Sequence, residues 1–289
     1  AKIKTDHDNL LVSIKDALES IVSVAGPEGV TRLNLSTTLS TNAIVEGDTE
    51  PVGMFVSAGP GIDPEAYRVG EHYFTAAGCI DHRGEETAAL DEAAVARGVD
   101  ACREAGVSAF AAVSKFSTRN PAHEDRIKEL VHPMADYVAM GHDFSGRLGF
   151  SRRINTAYFN SAVWRLYNRF ADAVQQSVLS MGLRPQIGVL KADGGSMPLS
   201  MSRMFPIQSI LSGPAASVMG IIAICDIRED AVILDIGGTT TDMAVFAGAA
   251  PLVEREGIAI SGRPTLVRAL RVKSIGVGGD SAIHVTPQG

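Results

Sequence analysis

A chain of 289 residues exceeds the roughly 150 at which a single core is usual, and 45% hydrophobic content supplies enough apolar surface for two packed lobes. The net charge of −7, with no basic run and no basic-aromatic interleaving, argues against nucleic acid as a partner, and no stretch approaches the roughly 20 apolar residues of a membrane span. Cys79, Cys102 and Cys225 are odd in number and far apart, which fits a reducing cytoplasm and speaks against a disulfide framework or a metal knuckle.

In chain order, Asp8 is placed to cap a helix with Leu11, Ile14, Leu18 and Ile21 or Val22 on one face, ending between residues 25 and 29. Leu33 and Leu35 mark a short strand, residues 38–46 a helix and 52–56 a second strand. Residues 57–89, rich in glycine and acid, read as an insertion or a small β element. A helix over 91–105, a strand over 107–113 and a helix over 120–131 opened by Pro121 restore the alternation. The long amphipathic stretch 155–181, with Tyr158, Trp164, Tyr167 and Phe170, is expected to pack on the sheet. This alternation implies an α/β fold with a mainly parallel sheet and helices outside it. Gly, Ser, Met and Pro interrupt the pattern over 195–212, which sets the expected lobes at 1–200 and 201–289.

The segment Leu234-Asp235-Ile236-Gly237-Gly238-Thr239-Thr240-Thr241-Asp242 follows one β-branched strand and precedes another, Met243-Ala244-Val245-Phe246, so it is expected at a hairpin tip. Gly237 and Gly238 let backbone N–H groups approach an anion, and Thr239, Thr240 and Thr241 add hydroxyl donors. Asp235 can hold a hydrated Mg²⁺ that bridges phosphate oxygens. An ordinary glycine-rich turn would explain the glycines but neither the flanking acids nor three successive threonines. These residues point to ATP.

Asp-x-Gly-Gly-Thr-x-x-Asp resembles the second phosphate loop of the actin-like ATPase superfamily. Ser212-Gly213-Pro214-Ala215 opens an apolar helix with small residues at helical spacing, as does the helix that joins the lobes in that superfamily. Thr37-Thr38-Leu39-Ser40-Thr41-Asn42-Ala43, Asn120-Pro121-Ala122-His123-Glu124, Ala192-Asp193-Gly194-Gly195-Ser196, Ser212-Gly213-Pro214-Ala215 and Gly276-Val277-Gly278-Gly279-Asp280-Ser281 resemble, in order, segments of the hydantoinase/oxoprolinase family. The resemblance implies a ribonuclease H-like, actin-like ATPase fold in two lobes. It also marks departures: the family's first phosphate hairpin and its C-terminal adenosine-contacting part have no counterpart here, so the chain is expected to be an incomplete piece of a longer protein. Asp280 stands where glycine is usual.

The resemblance further implies ATP-dependent opening of a cyclic amide such as hydantoin or 5-oxoproline, with ATP and Mg²⁺ as cofactors and a hydantoinase B-type subunit as a candidate partner. Asp235 is the expected metal ligand and, with His123 and Glu124, a catalytic candidate. Gly237, Gly238, Thr239, Thr240, Thr241, Gly278, Gly279, Thr38, Thr41 and Asn42 are the candidates for holding nucleotide. The helix start at Thr37, Thr38, Thr41 and Asn42 offers N–H donors to phosphate, against a plain N-cap. His142-Asp143 and Arg152-Arg153 could line a substrate pocket, against surface groups and a solvated charge pair. A ketone-carboxylase subunit is the alternative chemistry; a nucleotide-driven switch or a sugar kinase are further ones.

Overall fold

The computed structural model describes residues 10–238 and 240–282. The expected cap Asp8 and the loop residue Thr239 lie outside the described residues. Helix α1 (Leu10–Ala25) buries Leu18, with Ile14 and Val22 beside it, against α5 (Phe150–Ser180), while Ile21 faces outward.

The largest parallel sheet has the order β3 (Tyr73–Thr75), β2 (Val52–Ser57), β6 (Ala109–Ser114), β7 (Tyr137–Met140). β2 and β6 are buried at every position, as a parallel strand covered on both faces must be. Their period of two sorts the core. Met54, Val56, Ala111 and Val113 turn toward Phe150, Ile154 and Ala157 of α5. Phe55, Phe110 and Ala112 turn toward α3 (Glu92–Glu104) and α4 (Ala122–Val131). Gly53 and Gly98 make room on that second side, since a Cβ would lie 2.6 Å from Phe110 at Gly53 and 2.6 Å from Phe55 at Gly98.

The segment 57–89 is not simply an insertion. Tyr73–Thr75 adds a parallel edge strand to β2, and only β4 (Cys79–Ile80) and β5 (Glu86–Ala88) form a separate small ribbon. The reason lies in Val69, Tyr73 and Ala76, which are buried in the main cores and draw the acidic loop back onto the sheet. The long helix begins at Phe150, five residues before the periodicity suggested, because Phe150, Arg153 and Ile154 are buried as well.

A second sheet joins β1 (Arg32–Leu35) in parallel to β8 (Gln186–Leu190), which pairs with β9 (Ser196–Pro198). It packs on Tyr167 and Phe170 of α5, while Trp164 stacks on Tyr137 at 4.9 Å. Helices α2 (Leu39–Glu46) and α6 (Leu199–Met204) complete the surroundings of α5. The third sheet is the antiparallel hairpin β10 (Ala231–Ile236) and β11 (Thr241–Ala247), extended by β12 (Ala250–Pro251) and β17 (Val272–Ile275). One face of it rests on α7 (Ser212–Ile224) through Ile233, Ala244 and Phe246. Two short ribbons, β13 (Val253–Glu254) with β16 (Ala269–Leu270) and β14 (Ala259–Ile260) with β15 (Arg263–Pro264), fill the interval.

Candidate functional site

The expected phosphate loop does lie at a hairpin tip. Register pairs Asp235 with Asp242 and Ile236 with Thr241, so two carboxylates face each other across the strands just before the turn. Asp242 also meets the hydroxyl of Ser274 on β17. Gly237 N–H donates to Thr240 O at 2.9 Å and closes the turn. Its carbonyl accepts the Gly279 N–H at 2.8 Å, that of Gly238 accepts the Asp280 N–H at 2.8 Å, and the Thr241 hydroxyl donates to Val277 O at 2.6 Å. The hairpin tip and the glycine-rich segment 276–281 are thus one unit.

That unit determines which donors remain for an anion. The Gly278 N–H is spent on Ser281 Oγ, and those of Gly279 and Asp280 on the hairpin. Among the described residues, the N–H groups of Gly238 and Thr240 have no main-chain partner, and both residues are exposed. A Cβ on Gly238 would stand 2.7 Å from a carboxylate oxygen of Asp280, so this acid leans directly on the loop. Asp235, Asp242 and Asp280 together make this corner strongly negative; phosphate there requires a cation. No three Asp, Glu, His or Cys among the described residues converge as a closed metal cage. An open pair of carboxylates suits Mg²⁺, which keeps several waters.

A second convergence joins α2 to α7. Ser212 Oγ accepts the Thr37 N–H at 3.3 Å and meets Ser36 Oγ at 3.2 Å, and Thr41 Oγ1 accepts the Leu211 N–H at 3.1 Å. Thr38 occupies the N-cap position of α2 but makes no side-chain cap; Thr37 Oγ1 instead accepts the Leu39 N–H at 3.1 Å. Thr38 and Asn42 are exposed beside that helix start. Leu211 enters α7 at φ 53°, a left-handed conformation unfavourable for a branched side chain.

His123 and Glu124 lie elsewhere, on the first turn of α4 against the end of β6. Both side chains are buried. His123 Nε2 is 3.0 Å from Glu86 and its Nδ1 is 3.4 Å from Ser57 Oγ. Glu124 accepts the N–H groups of Ser114 at 2.7 Å and His142 at 3.0 Å, and sits 2.6 Å from His142 Nδ1. The hydrogen bond to Glu124, opposed by partial burial, raises the pKa of His142 above its ordinary value. His142 Nε2 in turn lies 3.5 Å from Asp143, whose pKa is raised by burial despite that imidazole. Asp143 is the member of the series that borders an open cavity.

Arg152 and Arg153 are no solvated pair. Arg153 is fully buried, 3.5 Å from Glu124, and donates to Ser114 O at 2.7 Å and to Lys115 O and Ser117 Oγ. Burial lowers its pKa, with Glu124 opposing. Arg152 donates to Gly257 O at 3.1 Å and Thr265 O at 2.8 Å, which fixes the loop 257–266 to α5 together with Asn155 and Thr156. Sequence reasoning missed this because an Arg-Arg dipeptide reads as surface, whereas a helix that starts at Phe150 turns Arg153 inward with Ile154.

Asp193, in the Asp-Gly-Gly segment, is gripped by Lys191 at 3.1 Å and Arg268 at 3.4 Å. Burial alone would raise its pKa, but the Gly195 N–H and the two cations hold it below the usual range. It shares with Asp143, Arg147, Phe144, Phe205, Met201 and Arg255 a cavity of about 520 Å³.

Comparison with known proteins supplies the remaining finding. The family model described as hydantoinase/oxoprolinase N-terminal region matches residues 1–135, and that described as hydantoinase/oxoprolinase matches 153–289. The caprolactamase alpha subunit of Pseudomonas jessenii is 24% identical over 97% of this chain and 44% of its own length. A 5-oxoprolinase of Pestalotiopsis fici is 25% identical over 68% of this chain and 15% of its own length. The nucleotide-free structure of an acetone carboxylase, from work on ATP-dependent acetone carboxylation, superposes with a TM-score of 0.79 at 17% identity, over all of this chain and 46% of that one. The fold is therefore the α/β, actin-like ATPase type expected from the sequence, and the chain spans about half the length of such relatives or less.

Proposed function

The chain belongs to the hydantoinase/oxoprolinase family, and on that premise we propose that its protein is an ATP-dependent hydrolase that opens a cyclic amide of the hydantoin or 5-oxoproline type. The observation that carries this reading is the hairpin tip, where paired Asp235 and Asp242 flank a glycine turn in which the N–H groups of Gly238 and Thr240 have no partner among the described residues. Amide resonance makes a lactam carbonyl a poor electrophile. When bound, ATP supplies a γ-phosphoryl group that converts the amide oxygen into a leaving group, chemistry that rests on positioning and charge stabilisation. Asp235 and Asp242 would hold hydrated Mg²⁺, and Gly238 and Thr240 would donate to phosphate oxygens. Thr38, Thr41 and Asn42 would face the nucleotide from the other helix start. A His142–Asp143 unit backed by Glu124 can accept or return a proton at the cavity wall.

Relatives carry the word subunit in their names, as in the caprolactamase, which supports a separate partner chain. No described helix is long and apolar enough to cross a membrane. The three unpaired cysteines support a cytoplasmic placement. The second reading is the ATP-using subunit of a ketone carboxylase, favoured by the likeness to acetone carboxylase.

The test is ATP hydrolysis by the full-length protein, alone and with its partner, against hydantoin, 5-oxoproline, simple lactams, and small ketones with bicarbonate. Stimulation by an amide supports the hydrolase, and stimulation only by ketone with bicarbonate transfers the assignment to carboxylation. Asp235→Asn is expected to abolish amide-stimulated turnover while circular dichroism is unchanged; undiminished turnover would overturn the site.

A further inference from the structure

A second cavity, of about 500 Å³, lies between the start of α7 and the loop 257–266, and its volume is within the usual range for small-molecule sites. Two of its lining residues tie it to the phosphate corner and to the α2 junction: Ser274 bonds Asp242, and Leu211 gives its N–H to Thr41. Register across β10, β11 and β17 sets Asp235, Asp242 and Ser274 in one row, two residues along from Ile233, Ala244 and Val272, which pack with α7. The carboxylate row therefore lies on the face of the sheet that α7 covers. The wall of the cavity is mixed. Ile258, Pro264, Leu270 and Val272 are apolar, and Arg271 is paired with Glu254. Arg152 donates from Nη1 to Gly257 O and Thr265 O, which leaves its Nε and Nη2 without a partner among the described residues. The cavity beside Asp143 shares the wall 254–258 through Arg255 and Glu256 but does not reach the carboxylate row.

We propose that this cavity is the acceptor subsite: it holds the carbonyl compound that meets the phosphate corner, with the hydrocarbon body on Ile258, Leu270 and Val272 and the carbonyl oxygen on Arg152. Reacting atoms must come within about 3–3.5 Å of each other, and Ser274 puts this cavity against Asp242. A guanidinium pinned by two carbonyls is a donor whose direction is set before a ligand arrives, which is what stabilisation of a polarised carbonyl oxygen requires. Ser274 is a positioning residue, since its hydroxyl fixes Asp242 in the row. Ile258, on the wall shared by both cavities, sets the size of the acceptor. For the ligand's role as acceptor this rests on the ATP-dependent reading above; for binding it does not.

The test begins with saturation-transfer NMR on the nucleotide-free full-length protein, with hydantoin, 2-piperidinone and acetone as probes, which separates lactam from ketone. At least one probe is expected to show transfer in the wild type. Ala259→Trp, at an exposed lining position on β14, is expected to abolish that transfer by filling the cavity while circular dichroism stays unchanged. In ATP turnover stimulated by the same compound, Arg152→Lys keeps the charge but loses the planar fork. It is expected to raise KM for the carbonyl compound at least about tenfold and to leave KM for ATP unchanged. Ile258→Ala is expected to shift kcat/KM about tenfold toward the larger of two homologous acceptors, as a change of about one methylene in an apolar wall does. No transfer to any probe, transfer that survives Ala259→Trp, or acceptor KM values that neither Arg152→Lys nor Ile258→Ala moves would overturn the proposal. ATP turnover that no carbonyl compound stimulates would sink the amide-opening reading and leave the NMR result standing; stimulation indifferent to these variants would sink the subsite and leave the reading.

Discussion

The sheet of β3, β2, β6 and β7 and the sheet around β10 and β11 are made from similar apolar sequence and are covered differently. Every residue of β2 and β6 is buried between α5 on one face and α3 with α4 on the other. On β10 only alternate residues are covered. Ile233 packs with α7, whereas Val232, Leu234 and Ile236 are 64%, 54% and 63% exposed, with Val245 exposed opposite Val232. A run such as Val232-Ile233-Leu234 has no polar alternation, and that is the pattern of strands with apolar neighbours on both faces. A continuous apolar run therefore reports the surroundings a strand is suited to, whether or not the residues at hand supply them.

The largest expected effect comes from the fully covered region. Arg153→Met removes the cation beside buried Glu124 and strands the carbonyl of Lys115. Breaking a buried pair costs about 3–5 kcal/mol, to be read from denaturant unfolding; a loss under about 1 kcal/mol would show that water reaches Glu124. Next is Gly53→Ala, whose methyl would lie 2.6 Å from Phe110 and 2.8 Å from Cys102. Overpacking of this kind costs about 1–3 kcal/mol, again by denaturant midpoint. The smallest effect on stability is expected at the bare face. Val232→Thr with Leu234→Thr should change unfolding free energy by no more than about 0.5 kcal/mol each and should reduce both dye binding to exposed apolar surface and self-association. A large loss of stability from that pair would show that the face is covered in solution, which would erase the comparison.

Much of the first region was legible in the sequence. The alternation of elements and the helix expected over 91–105, whose first turn Asp91 caps by accepting the Ala94 N–H, follow from local chemistry, as does the hairpin at Gly237 and Gly238 in the second region. What local pattern could not supply were contacts set by distance in space. Nothing around His142 announces that Glu124, 18 residues earlier, takes both its backbone N–H and its ring. Nothing around Arg152 announces the carbonyls of Gly257 and Thr265, more than 100 residues away. The edge strand Tyr73–Thr75 was obscured by the glycine and acid around it, because three residues are too few for a periodicity to register. At the phosphate loop the sequence pointed to glycine N–H groups as ligands, yet those of Gly278 and Gly279 are consumed by neighbouring oxygens.

The two main-chain bonds from Gly279 and Asp280 to the carbonyls of Gly237 and Gly238 join the hairpin to its neighbouring loop without using any side chain of either. Such a joint is indifferent to residue identity at position 280. A different side chain at position 280 can change the charge presented to this corner while the docking of the two loops stays intact. Tuning of anion affinity and maintenance of the fold are thereby free to proceed under separate selection.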